Sequence, residues 1–86
     1  MPRLRDIVIR FVKTEKALRM LEENKLTVIV KPEVTKREIK EAFENTLNVK
    51  VVKVNTLRTP KGEKKAYVKL SEEFDATKIA EDLGIL

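Results

Sequence analysis

The sequence has no cysteine, no histidine and no tryptophan, and among its 86 residues there are two glycines and four aromatic rings, three Phe and one Tyr. Each absence excludes something. Without cysteine there are no disulfides and no thiolate metal sites, and without histidine there is no imidazole ligand, general base or partner for a nucleophile. Two glycines are too few for a phosphate-cradling loop. Glu22 with Glu23 and Glu72 with Glu73 are adjacent carboxylates that point in different directions, and no serine stands beside a plausible base. Catalytic residues, metal ligands and cofactors are therefore not expected. The amino-terminal "MPRLRDIVIRFVK" is basic, but its apolar run is broken by Arg10 and lacks a small-residue cleavage site, so it does not read as a signal peptide. No stretch is long enough to span a bilayer, and the expectation is a cytoplasmic protein that does not engage membranes.

What the chain does have is charge, 38% of its residues, over 42% hydrophobic ones. Its length fits one small domain, residues 1–86, with an aliphatic core. The formal net charge of +5 is unevenly divided. Residues 1–20 carry six basic and two acidic groups, and residues 50–69 seven and one. Residues 70–86 carry one and five, so a basic amino end and a basic centre precede an acidic tail. Such clustering is the footprint expected of a polyanion binder, because each Lys or Arg that meets a phosphate releases condensed counterions, and it is equally the pattern of a solvated charged surface.

The pattern of apolar residues places these charges on elements. In "DIVIRFV", Ile7, Ile9 and Phe11 alternate with Val8, Arg10 and Val12, which predicts a short strand with one polar face. "TEKALRMLEEN" begins with an N-cap threonine, has Glu15 in its first turn, lines Ala17, Leu18 and Leu21 on one face, and closes at Asn24. "LTVIVK" is the next strand. In "TKREIKEAFENTLN", Thr35 and Glu38 form a capping box, and Ile39, Ala42, Phe43 and Leu47 recur at helical spacing. "VKVVKVNTL" and "KKAYVKL" are β-rich runs joined through "RTPKGE", where Pro60 and Gly62 supply turn geometry, so residues 49–70 read as a hairpin. "DATKIAEDLG" has Asp75 as N-cap, Ile79, Ala80 and Leu83 as its stripe, and Gly84 just past its end. The order β-α-β-α-β-β-α predicts an α+β fold, a mostly antiparallel four-stranded sheet with packed helices.

On "KKAYVKL", Ala66, Val68 and Leu70 are expected to face the core and Lys65, Tyr67 and Lys69 the opposite side, which sets an aromatic ring between two ammonium groups where it can stack on a base or simply cover the sheet. An RNA recognition motif needs two or three aromatics on adjacent strands, whereas Tyr67 is alone and "LTVIVK" offers no ring.

The stretches "TEKAL", "NKLTVIV", "TKREIKEAFE", "VKVVKVNTL" and "TPKGEKKAYVKL", in this order and spacing, resemble the archaeal-type large-subunit ribosomal protein number twenty-three, a family at the rim of the peptide exit tunnel. "VNTL" followed by "GEKKAYV" ahead of an acidic terminal helix is the most specific part. The resemblance implies a non-catalytic structural constituent bound to the third domain of large-subunit ribosomal RNA, beside a small helical ribosomal protein. By position it implies an RNA-facing set of Arg10, Thr14, Lys16 and Arg19 from the amino-terminal region, and Asn55, Thr56, Arg58, Lys61, Lys64, Lys65 and Tyr67 from the hairpin. Glu15 matches the acidic residue at which the signal recognition particle or chaperones dock beside the exit. Bacterial members extend the hairpin into the tunnel; here "RTPKGE" alone joins the strands. A free-standing RNA-binding or protein-interaction module of similar fold is the alternative.

Overall fold

The computed structural model describes residues 2–86 and holds one four-stranded sheet of order β1-β2-β4-β3, antiparallel throughout. In chain order the elements are α1 (Leu4–Ile7), β1 (Val8–Phe11), α2 (Glu15–Glu22), β2 (Lys25–Val30), α3 (Lys36–Leu47), β3 (Val51–Arg58), β4 (Lys64–Leu70) and α4 (Ala76–Asp82). The α+β reading and the order from β1 onward are as the periodicity predicts; α1 is an addition. Its turn forms because the Asp6 carboxylate accepts from the Arg3 backbone N–H at 3.1 Å, and it is docked on α3 by the Leu4 N–H donating to Thr46 Oγ1 at 3.1 Å. That turn takes Ile7, expected in the strand, into the core instead.

The main core lies between one face of the sheet and α3. Leu26, Val28 and Val30 of β2 and Ala66, Val68 and Leu70 of β4 meet Ile39, Ala42 and Phe43. The α3 helix starts where its capping box dictates, with Thr35 Oγ1 accepting from the Glu38 N–H at 3.1 Å and the Glu38 carboxylate accepting from the Thr35 N–H at 2.9 Å. Phe43 is 0% exposed and meets the Phe11 ring edge-on, centroids 6.3 Å apart.

The second face of the sheet is covered as well, over β2. Strand alternation turns Thr27 and Ile29 away from the main core, yet both are buried, because α2 lies against β2 on that side with Ala17 beneath it. The α2 stripe is therefore narrower than predicted: Ala17 is buried and Leu21 partly so, while Leu18 is exposed. In α4 the buried residues are Ala76 and Ala80, with Ile79 partly covered and Leu83 exposed rather than buried. Asn24, at φ 62°, ties the ends together: its Nδ2 donates to the carbonyls of Leu70 and Ser71, both at 3.1 Å, and its Oδ1 accepts from the Ala76 N–H at 2.8 Å.

Both edge strands are bulged. In β1 the register passes from Val8↔Val30 to Arg10↔Ile29, leaving Ile9 as the extra residue, 56% exposed, so the regular alternation predicted for this strand is broken there. In β3 it passes from Val51↔Leu70 to Lys53↔Lys69, with Val52 as the extra residue. Bulges on edge strands discourage pairing with another sheet. Here the second one also decides which way Lys53 faces.

Candidate nucleic-acid interface

Behind the main core, β4 and β3 present side chains on the half of the sheet that α2 leaves open. The registers align them in rows. Arg10, Ile29, Lys65 and Leu57 form the first, running from β1 to β3; Thr27, Tyr67 and Asn55 form the second; Lys25, Lys69 and Lys53 form the third. Were Val52 paired regularly with Lys69, Lys53 would fall opposite the inward-facing Val68. The bulge turns Lys53, Asn55 and Leu57 outward together.

The third row is an electrostatic expense. Like charges directly opposite one another on neighbouring strands repel, and here three ammonium groups stand abreast. Lys25 is relieved by Glu23, 3.4 Å away. Among the described residues no carboxylate lies within salt-bridge distance of Lys53 or Lys69, both of which are exposed. Tyr67, half-buried in the adjacent row, has its ring framed by Lys65 and Lys69 on its own strand, as the alternation predicts.

At the other end of the sheet the hairpin closes tightly. The Gly62 N–H donates to the Thr59 carbonyl at 2.8 Å, the Thr59 N–H donates to the Glu63 carbonyl at 2.8 Å, and the Glu63 N–H donates to Thr59 Oγ1 at 3.2 Å. Pro60 fixes one φ of the loop, and Gly62 at φ +84° takes the left-handed conformation that closure requires. The stiff loop forms one wall of a cleft of about 270 Å³ that opens against the end of β1 and the start of α2. Four of the sequence-assigned RNA-facing residues, Arg10, Thr14, Lys61 and Lys65, come together around it, with Val12, Ile29 and Pro60 as its apolar lining. Arg10 is paired there with Glu63, the single acid of the hairpin, whose carboxyl the Arg10 hydrogen bond holds below the usual carboxylate range. Thr14 is also the α2 N-cap, its Oγ1 accepting from the Ala17 N–H at 3.2 Å.

The other assigned residues are placed differently. Asn55 and Tyr67 are cross-strand partners on the open face. Lys16 and Arg19, three apart and exposed on α2, are neighbours on that helix, and Glu15 is exposed at its start. Thr56, Arg58 and Lys64 lie on the opposite side of the hairpin, where Thr56 faces Ala66 and Arg58 faces Lys64. The Lys64 ammonium donates to the carbonyl of Val34, which ties the hairpin to the loop ahead of α3. Lys53, Lys69 and Lys25 were not singled out from the sequence as RNA-facing. Their alignment depends on a bulge and on the pairing of strands some forty residues apart, and no local pattern signals it.

Comparison with known proteins gives one consistent result. Residues 6–78 match the family model described as ribosomal protein L23. The chain is 56% identical over 81 residues to the large ribosomal subunit protein uL23 of Pyrobaculum aerophilum, an alignment that covers 93% of this chain and 100% of that protein.

Proposed function

The chain belongs to the ribosomal protein L23 family, and from that footing we propose that it is a structural constituent of the large ribosomal subunit that binds large-subunit ribosomal RNA through the open face of its sheet. The observation that carries this reading is the row Lys25, Lys69 and Lys53. A protein that works alone gains nothing from opposing two ammonium groups with no acid between them, whereas a phosphate backbone laid across β4 and β3 neutralises both and releases its own counterions. Tyr67 in the adjacent row offers a surface on which a base can stack, and Asn55 beside it offers amide hydrogen bonds. Exposed Lys16 and Arg19 on α2 extend the basic surface.

The role is scaffolding and not catalysis. Its site is the third RNA domain beside the exit of the peptide tunnel, next to a small helical ribosomal protein, and the cell compartment is the cytoplasm. No helix among the described residues is long and apolar enough to cross a membrane. Glu15, exposed at the start of α2, is the point at which signal recognition particle or a chaperone docks.

The test is binding to transcripts of equal length cut from large-subunit ribosomal RNA. The third-domain transcript is expected to bind more tightly than the others at the same salt concentration. Equal affinity for all of them would overturn the assignment of this RNA.

A further inference from the structure

The cleft between the hairpin loop and the start of α2 is built differently from the lysine rows, and the geometry points to a pocket for one unstacked RNA base, seated between Pro60 and the β1 end with its phosphate at the rim. This rests on the RNA-binding reading above and adds a second, chemically distinct contact to it. Part of the lining is apolar: Val12 is half-buried, Pro60 is exposed, and the enclosed Ile29 closes the bottom. A bare phosphate has no reason to enter such a floor. Its natural partners are Lys61 and Lys65, which line the cleft and, among the described residues, have no carboxylate at salt-bridge distance.

Arg10 is engaged by Glu63 through two hydrogen bonds of 2.7 and 3.0 Å, so the pair presents a flat guanidinium and carboxylate to the cleft instead of a free cation. A planar guanidinium is a stacking surface for a base. The Glu63 oxygens retain lone pairs that accept from an amino group on a base edge, which a phosphate cannot offer. The Thr14 hydroxyl accepts from the backbone and keeps its own proton to donate. The volume, about 270 Å³, falls just under the roughly 300–1,000 Å³ of drug-sized pockets and leaves room for a base. The ligand class is thus a single extruded nucleotide whose base carries an amino group.

The test is a methyl- and lysine-resolved NMR titration of the full chain with a single-stranded adenosine hexamer, and separately with an abasic ribose-phosphate hexamer of the same charge. With the adenosine hexamer, the Val12 and Ile29 methyl resonances are expected to shift and saturate. With the abasic hexamer they are expected to stay in place while Lys53 and Lys69 still respond. Equal movement of the methyls with both probes, or none with either, overturns the base pocket. Silence at Lys53 and Lys69 with both probes would instead remove the sheet-face reading. Filling the cleft with Val12→Phe gives a second readout: adenosine-hexamer affinity is expected to fall roughly fivefold or more, the low end of what a stacked base contributes, with an unchanged salt slope. A changed slope with unchanged affinity at low salt would contradict a base contact.

Discussion

Arg10 and Glu63, 53 residues apart in the chain, hold edge strand β1 to the end of the hairpin through two hydrogen bonds of 2.7 and 3.0 Å. The hydrogen bond from Arg10 is the main reason the Glu63 carboxyl sits low; partial desolvation opposes it, and the charges of Arg10, Lys61 and Lys65 each add a lesser lowering. A carboxyl with a folded-state pKa below its unfolded value contributes stability that is present above the unfolded value and is lost as pH falls through the folded one. The loss therefore begins below roughly pH 4.3, the ordinary glutamate value. In a carbon-detected titration the Glu63 midpoint is expected to rise toward that value in Arg10→Ala. Glu63→Gln is expected to flatten the acid side of the stability profile, and an unmoved midpoint in Arg10→Ala would show that the pair does not persist in solution.

Phe43 and Tyr67 divide the sheet's two faces between them. Phe43 is fully enclosed by the main core, whereas Tyr67 is half-buried on the open face. Phe43→Ala is expected to cost about 3–5 kcal/mol in denaturant unfolding, a large share of a small domain's stability, and Tyr67→Ala clearly less. Equal losses would contradict the assignment of faces.

Asn24 joins the end of α2, the end of β4 and the start of α4 through one side chain. Asn24→Ala places a Cβ residue without a capping amide at positive φ and leaves three backbone groups unpartnered, an expected loss of about 2–4 kcal/mol. Asn24→Gly removes the conformational strain alone and is expected to recover only part of it. Hydrogen exchange should show the loosening first at the Ala76 amide.

Much of this fold was legible because local rules and the tertiary structure agree. Thr14, Thr35 and Asp75 cap the helices they were expected to cap, and the span of β4 follows its alternation residue by residue. The faces were harder. Thr27 and Ile29 sit in an unbroken buried run, and only the packing of α2 on the second face of the sheet explains it. Ile9 belongs to an apparently regular alternation that a bulge interrupts, and the α4 stripe is carried by Ala76 and Ala80 because small residues allow close approach where larger ones flank. At the candidate site, Tyr67 with its flanking lysines was readable from one strand. The lysine row and the cleft were not, since each needs three segments in register.

Glu15 stands exposed at the start of α2, where a first-turn acid is favoured by the helix dipole by roughly 0.3–1 kcal/mol whatever else it does. The docking proposal separates from that local role on ribosomes carrying variants. Glu15→Lys is expected to weaken recruitment of signal recognition particle sharply with subunit assembly unchanged, and Glu15→Gln to give an intermediate loss. Wild-type recruitment by both variants would make Glu15 a helix-end residue only.

The central claim is that the exposed ammonium groups of Lys53 and Lys69, set side by side by the Val52 bulge, meet phosphates. The measurement that tests it most directly is the dependence of log K on log salt for binding to the third-domain transcript, comparing the wild type with Lys53→Ala/Lys69→Ala. The slope is expected to become shallower by about 0.7–0.9 for each phosphate that the double variant no longer neutralises, with affinity falling accordingly. Folding stability should hold or rise as a repulsive pair is removed. An unchanged slope in a folded double variant would contradict the account.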